Sequence, residues 1–551
     1  MPKSFKFKLD FWTLVLLVSS GFIIYFVILP LSSLFTSAFI NPQTGEFSLM
    51  HFERFATRRF IYNAFFRSLR VSTVTAICSL IIGAVMAYIT TVYKVRGKGI
   101  VDILLIISML SPPFIGAYSW ILLAGRNGYL VQWLRPLGIT PPDIYGFGGI
   151  ILVMTLSSFP LIYLFTKGAL KKVDASLLEA AEGLGCNPIK KAVTLSMPLI
   201  TPTVLAASLL VFTDAFTDFG TPMLIGEGFQ VLSVLIFNEF VGEMGRHPNF
   251  AAALSLIMIA VVAVLFIIQK YLIDKKSFTM SSLRPIVSKQ LTGWRNSILH
   301  AFVYMITAFA IIPQMFIVIS SFRNTYGPMW APGFSFDNYI RVFERVGNTI
   351  RNTFVFAFIA IAIIILFALF LAYLTVRRRS WLTNILDYLA TLPLVIPGSV
   401  IGIMLLMTFS TPPLVLIATP SIMILAFVIR RLPFTLRSSS GILYQISPSI
   451  EEAAISLGDT PMKSFLKITA VMMIPGVLSG AILSWITTIN ELNASILLFG
   501  VNTRTVTVSI YQSVMASDHG AASASATILI VATVISILLF FKLSGNKDMS
   551  L

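Results

Sequence analysis

Apolar residues run through this chain in stretches of about twenty, separated by short polar and basic segments. Residues 11–30, 68–91, 251–269, 354–375 and 521–541 are such stretches. A helix rises about 1.5 Å per residue, so about twenty apolar residues cross a hydrocarbon core of roughly 30 Å. The pattern predicts an all-α polytopic membrane protein. The basic start and apolar run at the N-terminus imitate a signal peptide. The run is too long for an h-region and lacks a small-x-small site before Pro30, so it reads as a retained first helix.

Sliding the sequence along itself exposes an internal repeat. At an offset of 273, Gly168 falls on Gly441, Glu179 on Glu452, Ala180-Ala181 on Ala453-Ala454, and Leu184-Gly185 on Leu457-Gly458. Pro188 and Pro202 fall on Pro461 and Pro475 without a gap. Upstream, Ser68 and Ala87-Tyr88 match Thr353 and Ala372-Tyr373 at an offset of 285. Matches rich in Gly, Pro and Glu are not supplied by membrane composition. The expectation is about 12 transmembrane helices in two tandem six-helix halves, residues 1–273 and 297–551, joined by a polar cytoplasmic linker at 274–296. Each half holds an even number of spans, so the halves point the same way and the pathway is expected between them.

Composition sharpens the class. The 551 residues are 56% hydrophobic and 11% charged, with a mean hydropathy of +0.88, whereas soluble domains carry about 25% charged residues. A net charge of +17 raises nucleic acid as a partner, but the basic residues fall in groups that alternate with the spans. These are Lys3, Lys6 and Lys8; Lys94, Arg96 and Lys98; Lys167, Lys171, Lys172, Lys190 and Lys191; and Lys270, Lys275, Lys276 and Arg284. The second half adds Arg377–Arg379, then Arg430, Arg431, Arg437, Lys463 and Lys467, and lastly Lys542 and Lys547. The positive-inside rule puts them in the cytoplasm, with both termini. Arg54, Arg58, Arg59 and Arg67 are the exception, on the predicted outer side. The charge records orientation in a lipid bilayer and excludes nucleic acid. Cys78 and Cys186 are too far apart in topology to pair.

The repeated segments lie near 174–198 and 447–475. Each offers N-cap chemistry, Asp174-Ala175-Ser176 and Ser447-Pro448-Ser449, then acidic early turns, then a glycine stop at Gly185 or Gly458. A short helix across the cytoplasmic loop follows, able to act as a rigid knob for a partner. The Glu-Ala-Ala-x-x-x-Gly pattern resembles the coupling loop of binding-protein-dependent ABC importer permeases. There an apolar-x-apolar-Pro element follows after nine residues. Leu195-Ser196-Met197-Pro198 matches it, whereas Ile468-Thr469-Ala470 runs into Val471, which leaves the start of that helix open.

The resemblance implies the type I ABC importer permease fold, with Glu179, Ala180, Ala181, Gly185, Glu452, Ala453, Ala454 and Gly458 coupling to an ATPase. It implies two copies of an ATP-binding subunit that uses ATP and Mg, and an external substrate-binding protein. It further implies residence in the bacterial cytoplasmic membrane and alternating access. The chain has no Gly-x-x-x-x-Gly-Lys-[Ser/Thr] loop, and its four histidines, His51, His247, His300 and His519, are scattered. It is therefore expected to be no enzyme and to bind no cofactor or metal.

Ionisable groups inside spans face a bundle interior or water. Asp214, Asp218, Asn490, Glu491 and Asn493 are the pathway candidates, and Asp218 falls on Glu491 at the offset of 273. Helix breakers in Asp218-Phe219-Gly220-Thr221-Pro222 suggest an opening there. Asp102 and Asp387 also pair between halves and read as interfacial anchors. The fused layout and this segment resemble ferric-iron permeases. Acidic pathway residues favour a cation, while relatives with the same features carry thiamine, phosphonates, sugar phosphates or polyamines. The alternative class is an ion-gradient-driven secondary transporter using Asp214, Asp218 and Glu491, which leaves both coupling loops unexplained.

Overall fold

A backbone crossing hydrocarbon must satisfy its own hydrogen bonds, which leaves helices as the solution for apolar runs of this length. The computed structural model describes residues 11–139, 141–242, 247–276, 284, 288–326 and 329–544. The first half contains α1 (Phe11–Phe39), α2 (Arg59–Val92), α3 (Lys98–Leu110), α4 (Pro113–Ala124) and α5 (Phe147–Lys171). It continues with α6 (Ala175–Gly183), α7 (Met197–Thr217), α8 (Gly220–Ile225), α9 (Leu232–Val241) and α10 (Pro248–Lys276). The second half contains α11 (Trp294–Ser321), the antiparallel strands β1 (Arg323–Tyr326) and β2 (Met329–Phe334), α12 (Asp337–Arg377), α13 (Trp381–Thr391) and α14 (Gly398–Phe409). It ends with α15 (Pro420–Gln445), α16 (Pro448–Ser456), α17 (Ala470–Ile489), α18 (Val506–Met515) and α19 (His519–Ser544).

Among the described residues, nine helices are long and apolar enough to cross a membrane, and two bent pairs raise the number to 11. The pairs begin with α3 and α13 and turn by 98° and 110°. Both breaks sit at a proline that starts the following helix, Pro112 and Pro397, which coincide at the offset of 285. α15 falls on α5 at the offset of 273, but its arginines make it more polar than the spans, and it is not among them. The expected two-half, all-helical architecture is present.

Repeat matches found in the sequence have matching structural roles. Ser68 Oγ accepts the N–H of Leu232 at 2.7 Å, and Thr353 Oγ1 accepts that of Val506 at 2.8 Å. Each hydroxyl thus satisfies an orphan donor at the start of α9 or α18.

The first span of each half packs partly on its own half and partly on the other half. Trp12, Ile23 and Leu34 of α1 share a core with Phe356, Leu371, Val400 and Phe409. Val303 and Ala310 of α11 share one with Val71, Leu105 and Ala117. Ser108 and Ser119 add hydrogen bonds to the Ala310 and Pro313 carbonyls at 3.0 and 2.7 Å.

Several charges depart from the sequence expectation. Lys167, grouped there with cytoplasmic lysines, is buried in α5 against Asp102 at 2.5 Å. The Tyr163 hydroxyl donates to the same carboxylate at 2.6 Å. Asp102 is therefore half of a buried pair, and Asp387 pairs with Arg437 at 3.1 Å. Arg430 and Arg431, also assigned to the cytoplasm, lie in the middle of α15. Two of the four arginines expected outside have internal partners. Arg54 lies over the Phe250 ring and 3.8 Å from Glu239, while Arg67 donates to the Gly228 carbonyl. Lys3, Lys6, Lys8, Lys547 and linker residues 277–283 and 285–287 lie outside the described residues.

Candidate functional site

The two repeated loops fold alike from cap to cap. Asp174 accepts the N–H of Ser176 at 2.9 Å to start α6, and Ser447 accepts that of Ser449 at 3.4 Å to start α16. At the other end Gly185 and Gly458 take φ values of +80° and +98°. Gly185 N–H donates to the Glu182 carbonyl and Cys186 N–H to Ala181, both at 3.0 Å. Gly458 and Asp459 repeat this with Ile455 and Ala454 at 3.0 and 3.1 Å. These paired bonds close a helix around a left-handed residue. No atom lies within 4 Å of a Cβ built at either glycine, so backbone conformation, not crowding, selects glycine.

Pro188–Lys191 and Pro461–Ser464 form the next turns, followed by wider turns at Ala192–Ser196 and Phe465–Thr469. α7 and α17 then start at equivalent residues. Val471 in place of a proline therefore leaves the helix start unmoved.

Glu179, Ala180, Glu452 and Ala453 are exposed, as are both glycines, while Ala181 is half-buried and Ala454 buried. Sequence reasoning missed the leucine ahead of each glycine: Leu184 is 86% exposed and Leu457 89%. Leu177 and Ile450, also matched at the offset of 273, are exposed one helix-length earlier. A fully buried leucine gains about 1.5–3 kcal/mol over an exposed one. Isolated exposed leucines are common, but this pair recurs in register on two capped helices.

The pathway candidates divide. α7 stops at Thr217, and Asp218 accepts the N–H groups of Gly220 (3.3 Å) and Thr221 (3.1 Å) to start α8. Glu491 does the same after α17, accepting the Ala494 N–H at 3.2 Å. A hydroxyl bonds each acid's own carbonyl, Ser233 at 2.7 Å and Thr507 at 2.8 Å. The expected helix opening at Asp218 is present, and it is duplicated. Glu491 is also buried against Arg430 at 2.7 Å and Arg431 at 2.5 Å, contacts the sequence reading did not foresee.

Asp214, near the end of α7, keeps accessible surface deep within the protein and has Arg430, Asp218 and Arg431 as its charged neighbours. It faces the second half's arginines across the interface. Asn490 also bridges the halves, donating to the Leu110 carbonyl at 2.9 Å and to Thr533 Oγ1 at 3.3 Å. Asn493 is half-buried. The two arginines offset two of the three acids, which weakens the electrostatic argument for a cation. Cys78 and Cys186 are both free. Among the described residues no group of three or more His, Cys, Asp or Glu could hold a metal ion.

Two parallel halves, each with a broken span, an exposed capped helix and a polar break after the next span, define a polytopic membrane transport subunit. The family description "Binding-protein-dependent transport system inner membrane component" matches residues 79–277 and again 364–546, and the chain belongs to that family of ABC permeases. It is 27% identical over 531 residues to the ferric transport system permease protein FbpB of Actinobacillus pleuropneumoniae, covering 94% of this chain and 76% of the relative. It is 28% identical over 494 residues to the putative ferric transport system permease protein FbpB 1 of Haemophilus influenzae, covering 88% and 77%. A probable ABC transporter permease protein, y4fN of Sinorhizobium fredii, is 25% identical over 545 residues, covering 95% and 94%.

Proposed function

We propose that this permease forms the translocation pathway of a ferric-iron importer, driven by a separate ATPase that docks on α6 and α16. The observation that carries the docking reading is the in-register recurrence of an exposed leucine at the glycine-stopped end of two identically capped helices. One ATPase copy would take each helix. Glu179 and Glu452 flank the contact from exposed positions, and Gly185 and Gly458 hold its shape. ATP binding in the partner draws the two helices together and opens the pathway to a loaded binding protein, and hydrolysis resets it. In this reading residues 1–273 and 297–551 are the two halves, 274–296 is their linker, and the termini are cytoplasmic.

Iron rests on the similarity to ferric permeases and not on pathway charge. Asp214 and Asn490 are the best-placed pathway groups, since both lie at the contact of the halves. Glu491 is already held by two arginines, which argues against its loading a driving ion and so against an ion-gradient transporter.

The test is purification in mild detergent. The parent chain is expected to bring an ATPase at about two copies per chain, and L184D/L457D to lose it at unchanged chain yield. Retention of the ATPase by that variant would refute the docking role. Uptake of radioactive Fe³⁺ by cells carrying the chain, its absence from cells lacking it, and no competition by phosphonate or thiamine would support iron.

A further inference from the structure

Although α6 and α16 share caps and stops, different partners hold them. On α16 the Glu451 carboxylate accepts from the Tyr373 hydroxyl and, at 3.3 Å, from Thr469. The Tyr373 ring in turn stacks on Trp12 with centroids 4.2 Å apart, so a first-half residue backs the second-half coupling helix. The position equivalent to Glu451 at the offset of 273 is Leu178, an apolar residue.

α6 is held instead at its far end. Glu182 accepts from Lys191 at 3.0 Å and from Lys289 at 2.5 and 2.6 Å. These cations hold its carboxyl below the ordinary glutamate range, Lys289 most of all. Lys289 belongs to the segment that joins the halves. Its N–H donates to the Val92 carbonyl at 2.8 Å, and its carbonyl accepts from Lys94 at 3.0 Å. The Arg284 carbonyl accepts the N–H of Ala175, the first residue of α6, at 3.0 Å. The linker therefore touches both ends of α6. Just beyond it, His300 and Tyr304 of α11 bond the Arg96 backbone at 3.1 and 2.7 Å.

We propose that Glu182 and Lys289 are positioning residues, and that Arg284 and Lys289 of the inter-half linker brace α6 against the end of α2. α16 is then backed by first-half Trp12 through Tyr373, and α6 by the segment between the halves through Glu182 and Lys289. Displacing Lys289 carries α6 with it. The brace's part in coupling rests on the docking reading above.

Hydrogen exchange on the full chain in detergent tests the brace without any partner. An ion pair as exposed as this one is worth only a few-fold in an equilibrium. K289E is expected to speed exchange of α6 amides about threefold and leave α16 unchanged. K289R should match the parent, and the swap E182K/K289E should recover it. In the complex with its co-purified ATPase, K289E should lower ATP turnover per assembled complex about threefold without reducing the ATPase recovered, a split that general destabilisation would not give. Unchanged α6 exchange in K289E, or equal acceleration in α6 and α16, would overturn the brace. A parent chain that arrives with no ATPase would overturn the docking reading and the coupling role, while the exchange comparison would still decide whether the brace exists.

Discussion

Asp218 and Glu491 occupy one position of the repeat and share one local role, since each accepts a backbone N–H three residues on and restarts the chain after α7 or α17 stops. Their surroundings differ. The second half places Arg430 and Arg431 against its acid, where the first half has Ser157 and Ser158 at the offset of 273. An acid retained at a repeat position thus reports the local cap, and the residues facing it decide whether it is also a buried ion pair. Similarity between halves does not make the halves electrostatically alike.

The sharpest way to break that comparison is Glu491→Ala, which strands two guanidinium groups inside the bundle. Breaking a buried pair costs about 3–5 kcal/mol. The variant is expected to melt far below the parent in detergent or to give no monodisperse protein. Adding R430S and R431S, the first half's residues, should restore most of the loss. A single variant as stable as the parent would mean the cluster is not structural.

Asp218→Ala removes only a cap and should cost about 1–2 kcal/mol, read as a modest fall in melting temperature. Asp218→Asn keeps an acceptor and should lie much nearer the parent. An effect of D218A equal to that of E491A would erase the distinction between the halves. Gly185→Ala and Gly458→Ala should cost about 1 kcal/mol each. Exchange should rise locally in α6 or α16 by similar factors, because neither site is crowded.

The smallest effect concerns pH. Glu182 titrates below the ordinary value of 4.5 because Lys289 and Lys191 bond its ionised form. A depressed acid contributes stability above its unfolded value and loses it as pH falls through the folded one. Extra protection of α6 should therefore be complete above 4.5 and vanish on acidification below it. E182Q should show no such step.

The repeat was legible because it is written in caps and breaks, which are local. Asp174, Ser447, Gly185, Gly458 and the Ser68–Thr353 match all led to the right structural place. The arginines were misread because counting basic residues records sequence position alone. Arg430 meets an acid sixty-one residues away, and nothing local to α15 announces it. The pairing of Lys167 with Asp102, sixty-five residues apart, was illegible for the same reason. The exposed leucines were hidden in plain sight, since Leu184 and Leu457 are matched in the sequence but look like ordinary apolar residues of a helix end. Which half a span leans on was not legible either, because an apolar stripe does not name its neighbour.

The crossing over of α1 and α11 bears on how the chain is made. At roughly 5–20 residues per second, α1 enters the bilayer tens of seconds before α12 and α14, against which Trp12, Ile23 and Leu34 settle. In water such a wait would leave a sticky surface open to wrong partners. Lipid tails are as apolar as the leucines they cover, so the nascent helix loses little by waiting. The bilayer acts as a holding solvent for an architecture whose walls are delivered out of order.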